Sequence, residues 1–326
     1  MKAAVAENLD SLESYGLKEV AKPEAGPGQV LIRVMACGIG YVDSLVALGR
    51  YQVKPPVPHT PGQEVAGVVE TVGEGVTHVA PGDRIMTMTQ KGFAEYVVAA
   101  AAMVIPLPAA LSFTEAASLP LNYLTAIHGL KGRGEVVAGE TVLIFGAAGG
   151  VGSAAVQVSK ALGAKVIAAA SSEEKRAFAL AHGADLAIDT APEGWRDRLK
   201  EINGGKGPNV IFDPVCGPLF EPAFRSIAWR GRHLVVGFVG GPIPSLPSNL
   251  TLMKGAALMG VDVRQYMQFE IKNAIADLHQ LSAWAAEGKI KPPVGTVYPF
   301  EQFGEAMVAA LSGRGMGKVV LEIAKG

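Results

Sequence analysis

A glycine-rich segment at residues 145–164, FGAAGGVGSAAVQVSKALGA, carries the most specific chemical signal in the chain. It follows a strand-like apolar run and leads into a helical pattern, which is the context that a dinucleotide-binding loop requires. In a G-x-G-x-x-G pattern, Ala147, Gly149 and Gly152 take the three small-residue positions. The middle glycine lets the backbone approach a diphosphate, and the helix N-terminus supplies N–H donors. A glycine-rich turn in an unrelated α/β protein is the alternative. We expect a dinucleotide's diphosphate to bind here, at Ala147, Gly149, Gly150, Val151 and Gly152.

The end of the next predicted strand bears on which dinucleotide binds. An NAD site has Asp or Glu about 20 residues past the glycines, where it binds the ribose 2′-hydroxyl. Here that place holds Ala170, Ser171 and Ser172, and Lys175 follows inside the next predicted helix. A hydroxyl donor and a nearby ammonium suit a 2′-phosphate, so Ser171 and Lys175 predict NADPH. In the alternative, Ser171 caps the helix through a Ser-x-x-Glu box with Glu174, and Lys175 is a solvated surface residue.

The elements that must position these motifs change in pattern near Ser112, which starts a helical stretch with a capping box to Glu115. Before it, short β-branched runs separated by Gly, Pro and Asp predict a compact β-barrel or sandwich. From Glu140 to about Val263, apolar runs alternate with amphipathic helices, as in a doubly wound parallel sheet. A helix and a last strand are expected to return to the first domain. We predict an α/β fold with a β-rich domain at 1–121 and 265–326 and a dinucleotide-binding domain at 122–264.

Composition excludes several classes of function. The 326 residues are 49% hydrophobic and 18% charged, which excludes disorder and permits a large buried core. A net charge of −1 provides no basic field for nucleic acid or acidic lipid. The uncharged run from Val97 to Thr114 is interrupted by Pro106 and Pro108, and the first residues lack the apolar core of a signal peptide. We expect a soluble cytoplasmic protein that binds neither nucleic acid nor membrane.

With these residues assembled, the chain resembles the medium-chain dehydrogenase/reductase superfamily, specifically its zinc-free quinone oxidoreductase (zeta-crystallin-like) branch. The resemblance covers nearly the whole chain. It implies a GroES-like catalytic domain with a Rossmann domain inserted before its last segment. The segments that carry it are CGIGYVDSLVALGRY (37–51), PGQEVAGVVETVGEGVTHVAPGDRI (61–85), GFAEY (92–96), LTA (124–126), AAGGVG (147–152), SSEEK (171–175), VVGF (235–238) and GKVVLEI (317–323).

The resemblance also bears on metals. Zinc alcohol dehydrogenases of the superfamily place a cysteine where this chain has Gly40 and a histidine where it has Gln63, and they carry a four-cysteine lobe that is replaced here by TMTQKG. Catalytic zinc needs about three N, S or O protein ligands. We therefore expect no metal, and we expect Glu64 to form an internal ion pair or hydrogen bond. His59 and His128 lack a paired ligand, so we expect both to be structural.

Without a metal, the implied site has little acid–base chemistry, which suits an acceptor that mainly needs a hydride delivered in the right place. By resemblance, Tyr41 and Asp43 lie at the nicotinamide end and Tyr51 lies at the substrate mouth. The tyrosines would stack on a planar acceptor and donate to its developing oxyanion. In the alternatives, Tyr41 packs in the core and Asp43 makes a structural hydrogen bond to loop N–H groups. The branch usually has asparagine at the position of Gly40.

Further cofactor contacts are implied near the nicotinamide. Thr125 resembles the family's threonine there, and the residues that follow a later strand lie where doubly wound sheets collect ligands; they are Gly237, Phe238 and Val239. The two cysteines, Cys37 and Cys216, are expected to be buried and unreactive.

Three functions remain open at this stage. The first is NADPH-dependent reduction of a quinone. The second is NADPH-dependent reduction of an enone, 2-alkenal or enoyl thioester, in which Tyr51 would protonate the α-carbon. The third is a non-catalytic, crystallin-like NADPH-binding protein, which Gly40 keeps open. The weakly charged run at 256–266 predicts an edge strand, and since an uncovered apolar edge invites pairing, we expect a homodimer through it.

Overall fold

The computed structural model describes residues 1–324 and contains two compact units. Unit 1 comprises Met1–Leu121 together with the chain from Leu278 onward, and unit 2 comprises Asn122–Asp277. The first boundary coincides with the end of the β-rich segment.

Within the described residues, strands and helices follow one another along the chain, with a π-helix at His128–Arg133. The strands are β1 (Lys2–Val5), β2 (Gly16–Glu19), β3 (Gln29–Ile39), β4 (Glu64–Val72), β5 (Arg84–Met88), β6 (Tyr96–Ala100), β7 (Val104–Pro106), β8 (Thr141–Phe145), β9 (Lys165–Ala169), β10 (Leu186–Ile188), β11 (Val210–Asp213), β12 (Arg232–Val235), β13 (Ala257–Gly260), β14 (Val294–Pro299) and β15 (Lys318–Glu322). The α-helices are α1 (Tyr41–Ala47), α2 (Phe113–Ala117), α3 (Pro120–Ile127), α4 (Gly150–Ala161), α5 (Glu173–Ala181), α6 (Trp195–Ile202), α7 (Phe220–Ser226), α8 (Asn249–Lys254), α9 (Val263–Phe269), α10 (Ile271–Ala286) and α11 (Phe303–Ser312).

Unit 1 is organised around the long strand β3. The sheet has the order β14-β15-β3-β4-β5-β7, and β6 also pairs with β3. Because β3 has neighbours on both sides and is covered on both faces, its residues are apolar almost without alternation, and most of them are buried. Its antiparallel register places Gly38 opposite both Glu64 of β4 and Val320 of β15. The start of β4 and the start of β15 are thereby brought to the same end of β3.

Unit 2 is a six-stranded, fully parallel sheet of order β10-β9-β8-β11-β12-β13. Numbered within the unit, this is the 3-2-1-4-5-6 order of a Rossmann fold, so the predicted doubly wound sheet is confirmed. Buried apolar side chains from strands and helices form its core, among them Leu143, Ile211 and Phe224. The strand order reverses between β8 and β11, and the carboxyl ends at such a point are where ligands of these folds bind.

Two predicted strands are shorter in the structure. The run 232–240 is a strand only to Val235, so Gly237, Phe238 and Val239 lie in the following loop. The run 256–264 is a strand only to Gly260, because Asp262 accepts the N–H groups of Arg264 and Gln265 and starts α9. The short helices α1, α7, α8, α9 and α11 were also missed, since few periodic positions define each of them.

The second boundary between the units lies later in the chain than the expected 264/265. The reason is that α9 packs within unit 2. The ring of Tyr266 stacks on His128 at 3.9 Å, and its hydroxyl donates to Asp277 Oδ2 at 2.9 Å. These contacts keep residues 265–277 with the parallel sheet.

No helix among the described residues is both long and apolar enough to cross a membrane.

Candidate functional site

The turn between β8 and α4 forms a cradle of backbone groups in unit 2. Gly146 adopts φ +60°, and its carbonyl oxygen accepts the N–H of Gly149 at 2.9 Å. A Cβ atom on Gly152 would lie 2.1 Å from the Gly146 oxygen, so only glycine fits at 152. The first N–H groups of α4 have no intrahelical acceptor and stand at the positive end of the helix dipole. Donors, charge and close backbone access together fit a dinucleotide's diphosphate.

The residue that makes the tight turn differs from the one expected. Ala147 is fully buried, and its N–H donates to the Ala169 carbonyl at 3.4 Å. Gly146 supplies the left-handed conformation instead. The tight turn is therefore made by Gly146, followed by Gly149 and Gly152. That Ala147 contacts a dinucleotide stays a prediction.

The end of β9 presents a hydroxyl and two cations. Ser172, not Ser171, caps α5, because Ser172 Oγ accepts the N–H of Lys175 at 3.2 Å. The alternative in which Ser171 caps the helix is thus wrong, and Ser171 is exposed. Arg176 also reaches this point, since its Nη1 donates to the Ala170 carbonyl at 3.2 Å. Sequence reasoning missed Arg176, although it directly follows Lys175 in α5.

The loops after β11 and β12 are tied together at the same edge of the sheet. Asp213 Oδ1 accepts the N–H groups of Val215 and Cys216 at 2.9 and 2.8 Å, and its Oδ2 lies 3.1 Å from His233 Nε2. Gly240 donates its N–H to the Val215 carbonyl at 2.8 Å. This ordered loop pair leaves two apolar side chains exposed at the carboxyl edge, those of Phe238 and Val239.

Helix α3 contributes two buried polar residues to unit 2, Asn122 and Thr125. Thr125 was predicted as a cofactor contact, whereas Asn122 was missed. A Cβ atom on Gly150 would lie 2.6 Å from Asn122 Nδ2, so the Asn122 amide rests directly against the first residue of α4. Nothing in the linear pattern relates these two positions.

Unit 1 contains a buried charged cluster of Asp43, Glu64 and Lys318. Lys318 Nζ forms an ion pair with Glu64 Oε2, and Glu64 Oε1 accepts the N–H of Leu121 at 2.9 Å. The expectation that Glu64 forms an internal ion pair is confirmed. Lys318 itself was missed, because a lysine at the start of an apolar strand is ordinarily a solvated residue.

Gly40 borders this cluster. A Cβ atom at Gly40 would lie 3.4 Å from Asp43 Oδ2 and 3.5 Å from Lys318 Nζ. The missing side chain therefore leaves the Lys318 ammonium next to bare backbone. An asparagine at this position, as the resemblance led us to expect for the branch, would place its amide beside that ammonium.

Asp43 makes structural hydrogen bonds, which we considered as the alternative to a role at the nicotinamide end. Its Oδ2 accepts the N–H of Gly40 at 2.7 Å and its Oδ1 accepts the Gln63 amide at 3.3 Å. Burial raises the pKa of Asp43 from 3.8 to about 6, although Lys318 opposes the shift. The carboxyl anchors the turn that starts α1, so it positions the neighbouring Tyr41.

The two tyrosines lie at the start of α1 and shortly after its end. Tyr41 is the first residue of the helix and is 37% exposed, which argues against its alternative as a core residue. Tyr51 follows the helix and is half-buried. The structure thus brings Asp43 into the charged cluster, whereas Tyr41 and Tyr51 are related to it here only by their positions at and after α1.

Both cysteine thiols are buried and free, as expected. Burial raises the pKa of the Cys37 thiol well above its ordinary value, and burial next to Asp213 does the same for Cys216. Within residues 1–324, no group of three or more His, Cys, Asp and Glu side chains is arranged to hold a metal ion.

Comparisons with known proteins place the chain in a family. Residues 26–109 match the alcohol dehydrogenase GroES-like domain, and residues 150–280 match the family described as zinc-binding dehydrogenase. The chain is 36% identical to quinone oxidoreductase-like protein 2 of Rattus norvegicus over 99% of its own length and 92% of the relative's.

Two solved structures are similar over 99% of the chain and all of their own length. One is a quinone oxidoreductase from Thermus thermophilus, studied also in complex with NADPH, with 34% identity and a TM-score of 0.84. The other is an NAD-dependent alcohol dehydrogenase, with 30% identity and a TM-score of 0.92. The chain belongs to the medium-chain dehydrogenase/reductase superfamily, in its quinone oxidoreductase family, and is an oxidoreductase.

The raised pKa of Asp43 predicts a pH-dependent stability. The folded state holds this proton more tightly than the unfolded chain, so the stabilisation is complete below about pH 4 and is lost as the pH rises through about 6. A rise in pKa from 3.8 to about 6 corresponds to on the order of 3 kcal/mol. Relative to Asp43→Asn, the wild type should lose this amount of unfolding free energy between about pH 4 and pH 7, measured by urea denaturation.

Asp10 supplies the control, because it is an exposed aspartate of the same unit. Asp10→Asn should change the unfolding free energy by less than about 0.5 kcal/mol at each pH. A difference between wild type and Asp43→Asn that stays constant over this range would contradict the assignment.

Proposed function

We propose that this protein is a zinc-independent oxidoreductase that transfers a hydride from NADPH to a quinone-type acceptor. The observation that carries the cofactor choice is the end of β9, where Ser171, Lys175 and Arg176 stand in place of the acid that an NAD site uses. The donor set at Gly40 and Gln63, which has neither thiolate nor imidazole, supports the absence of zinc chemistry.

Unit 2 would hold the dinucleotide through its backbone. The N–H groups of Gly150, Val151 and Gly152 begin α4 and would bind the diphosphate. Ser171 would donate to the 2′-phosphate, because Ser172 rather than Ser171 is used as the helix cap. Lys175 would supply charge there, and Arg176, which is anchored to the Ala170 carbonyl, would add a second cation. The remaining predicted contacts, Thr125, Gly237, Phe238 and Val239, would orient the nicotinamide.

The two solved relatives are described with different cofactors, NADPH and NAD, so we base the choice between these cofactors on the residues that follow β9. Glu173 and Glu174 do follow the serines, but both are exposed in the first turn of α5, where acidic side chains favour the helix dipole. They would repel a 2′-phosphate less than Lys175 and Arg176 attract it, since each cation can form charge-assisted hydrogen bonds.

Unit 1 would supply the acceptor's contacts. When bound, NADPH supplies the hydride, and the protein's own part is to orient, to exclude water and to stabilise the oxyanion that develops on the acceptor. We assign the oxyanion hydrogen bonds to the phenol groups of Tyr41 and Tyr51. Asp43 acts through Gly40 as a positioning residue. The Lys318–Glu64 pair keeps the buried charges beside Gly40 balanced.

Enone or enoyl-thioester reduction is the second candidate. It uses the same hydride but also needs a proton on the α-carbon, for which Tyr51 is the donor that the sequence offers. Quinone reduction asks less of the protein, because the oxyanion of a quinone is delocalised and needs only hydrogen bonds. The titratable groups beside Gly40 are already engaged, Lys318 with Glu64 and Asp43 with the Gly40 N–H, which favours the less demanding quinone.

We further propose that the protein is a homodimer through β13. This strand is the edge of the parallel sheet, contains no charged residue, and leaves Leu258 41% exposed. Trp229 and Leu252 are exposed on neighbouring segments of unit 2. A two-fold axis would pair β13 with its own copy in antiparallel fashion and cover this apolar edge.

The cofactor assignment is tested by Lys175→Ala. Removing a charge-assisted contact of about 1.5–3 kcal/mol should weaken NADPH binding about 10- to 100-fold in titration calorimetry, while NADH binding hardly changes. Lys200→Ala, which removes an exposed lysine of α6, should leave both affinities unchanged. Equal losses for NADPH and NADH would show that Lys175 acts structurally.

The acceptor assignment is tested with quinones, 2-alkenals and enoyl thioesters at saturating NADPH. We expect the highest kcat/KM for a quinone and a reduction of about tenfold or more in Tyr51→Phe, since one oxyanion donor is lost. A preference for the alkenal or thioester, abolished in Tyr51→Phe, would favour the second candidate. Tight NADPH binding without turnover of any acceptor would favour a crystallin-like binding protein.

The assembly is tested by sedimentation over a range of concentrations. The wild type should sediment as a dimer, and Leu258→Arg should shift it to a monomer, because a charge at a buried apolar edge is costly. Leu180 is similarly exposed on α5, so Leu180→Arg is the matched control and should remain dimeric. A wild type that is monomeric at every concentration would rule out the proposed dimer.

A further inference from the structure

Asn122 brings a side-chain amide to the N-terminus of α4. It lies in the first turn of α3 and is only 6% exposed. Its Nδ2 is the atom that a side chain at position 150 would meet first, because a Cβ atom on Gly150 would come within 2.6 Å of that nitrogen. The Asn122 amide therefore lies directly against the backbone of Gly150 at the start of α4.

The amide has no acceptor in the protein. Among residues 1–324, the Asn122 side chain takes part in no hydrogen bond or ion pair. An amide donor that the protein leaves unpaired in a largely buried side chain is available to a ligand or to water. This donor also stands beside unpaired helix N–H groups, where the helix dipole adds positive potential. Such a combination is complementary to an anion.

The position of Asn122 on its helix relates it to the rest of the proposed cofactor site. Asn122 and Thr125 are three residues apart, so they lie on the same face of α3, and both are buried. Thr125 is the expected nicotinamide contact, and Gly150 belongs to the expected diphosphate cradle. Asn122 lies one turn before Thr125 on α3 and is in contact with Gly150.

We propose that Asn122 donates a hydrogen bond to an anionic oxygen of the dinucleotide's diphosphate. The diphosphate is then held from two sides, by the backbone of α4 and by a side chain of α3. This inference rests on the proposed NADPH function. It assigns to Asn122 a role in binding both NADPH and NADH, since the diphosphate is common to them, and no role in recognising the 2′-phosphate.

The test uses two variants of the full chain and three probes. Asn122→Ala removes the donor, and Asn122→Asp replaces it with a negative charge of nearly the same shape. The probes are NADPH, NADH and adenosine 2′-monophosphate, which carries the 2′-phosphate but no diphosphate. We expect Asn122→Ala to weaken both dinucleotides about 10- to 100-fold. Asn122→Asp should weaken them further through charge repulsion, and the monophosphate should bind each variant as it binds the wild type.

Tyr123→Phe is the matched control. Tyr123 neighbours Asn122 in α3, and its hydroxyl donates to Gln157 Oε1 of α4 at 2.8 Å, so this variant loses a buried α3–α4 hydrogen bond without touching the cradle. It should bind all three probes like the wild type. If Asn122→Ala and Asn122→Asp bind the dinucleotides as tightly as the wild type, the proposal is overturned.

Two further results are distinguishable from that one. If the Asn122 variants lose the monophosphate in the same proportion as the dinucleotides, the residue acts on the fold of unit 2 and the proposal is again overturned. If the wild type binds none of the three probes, the proposed function fails and the role of Asn122 fails with it.

Discussion

The carbonyl oxygen of Gly146 and the α-carbon of Gly152 approach each other so closely that no side chain fits between them. A Cβ atom would meet the oxygen at 2.1 Å, and this contact sets where α4 begins relative to the end of β8. The helix N-terminus, with its unpaired N–H groups, consequently stands at the carboxyl edge of the sheet. The loops that follow β9, β11 and β12 begin at this same edge, because every strand of the sheet is parallel. The close contact between Gly146 and Gly152 thus places the start of α4 beside the loops that complete the candidate dinucleotide site.

The interior of unit 1 contains a small cluster of charged groups. Asp43, Glu64 and Lys318 place two carboxyl groups and one ammonium in an interior that disfavours any net charge. Burial raises the pKa of Asp43, and Glu64 adds to this rise, while Lys318, which pairs with Glu64, opposes it. The same carboxyl fixes the N–H of Gly40 and therefore the start of α1. The start of the helix that carries Tyr41 therefore depends on a buried carboxyl group.

Much of this organisation could be predicted from the sequence, because it depends on local patterns. The glycine-rich loop, the alternation of apolar runs and helices, and the Ser112 capping box all act over a few residues, and the structure contains each of them. The box has Ser112 accepting from the Glu115 N–H and Glu115 accepting from the Ser112 N–H. The exchange of Ser171 for Ser172 as the cap of α5 shows the limit of such patterns. Ser171 fits the Ser-x-x-Glu rule, whereas Ser172 has Lys175 three residues later and is nevertheless the cap, because its hydroxyl accepts the Lys175 N–H.

What could not be predicted shares one cause, which is contact between residues far apart in the chain. Lys318 is charged and begins a strand, so nothing in its neighbourhood indicates burial; Glu64, across β3, supplies the reason. Asn122 likewise has no signal in the sequence around it, and its candidate role becomes visible only from its contact with Gly150. Position 150 is not one of the three small-residue positions of the dinucleotide pattern, which are Gly146, Gly149 and Gly152 in this chain, so backbone geometry alone does not explain why it is glycine. The Asn122 amide is what a side chain at position 150 would meet first, at 2.6 Å from a Cβ atom. The role of Gly150 can therefore be judged only together with Asn122, which the fold brings against it.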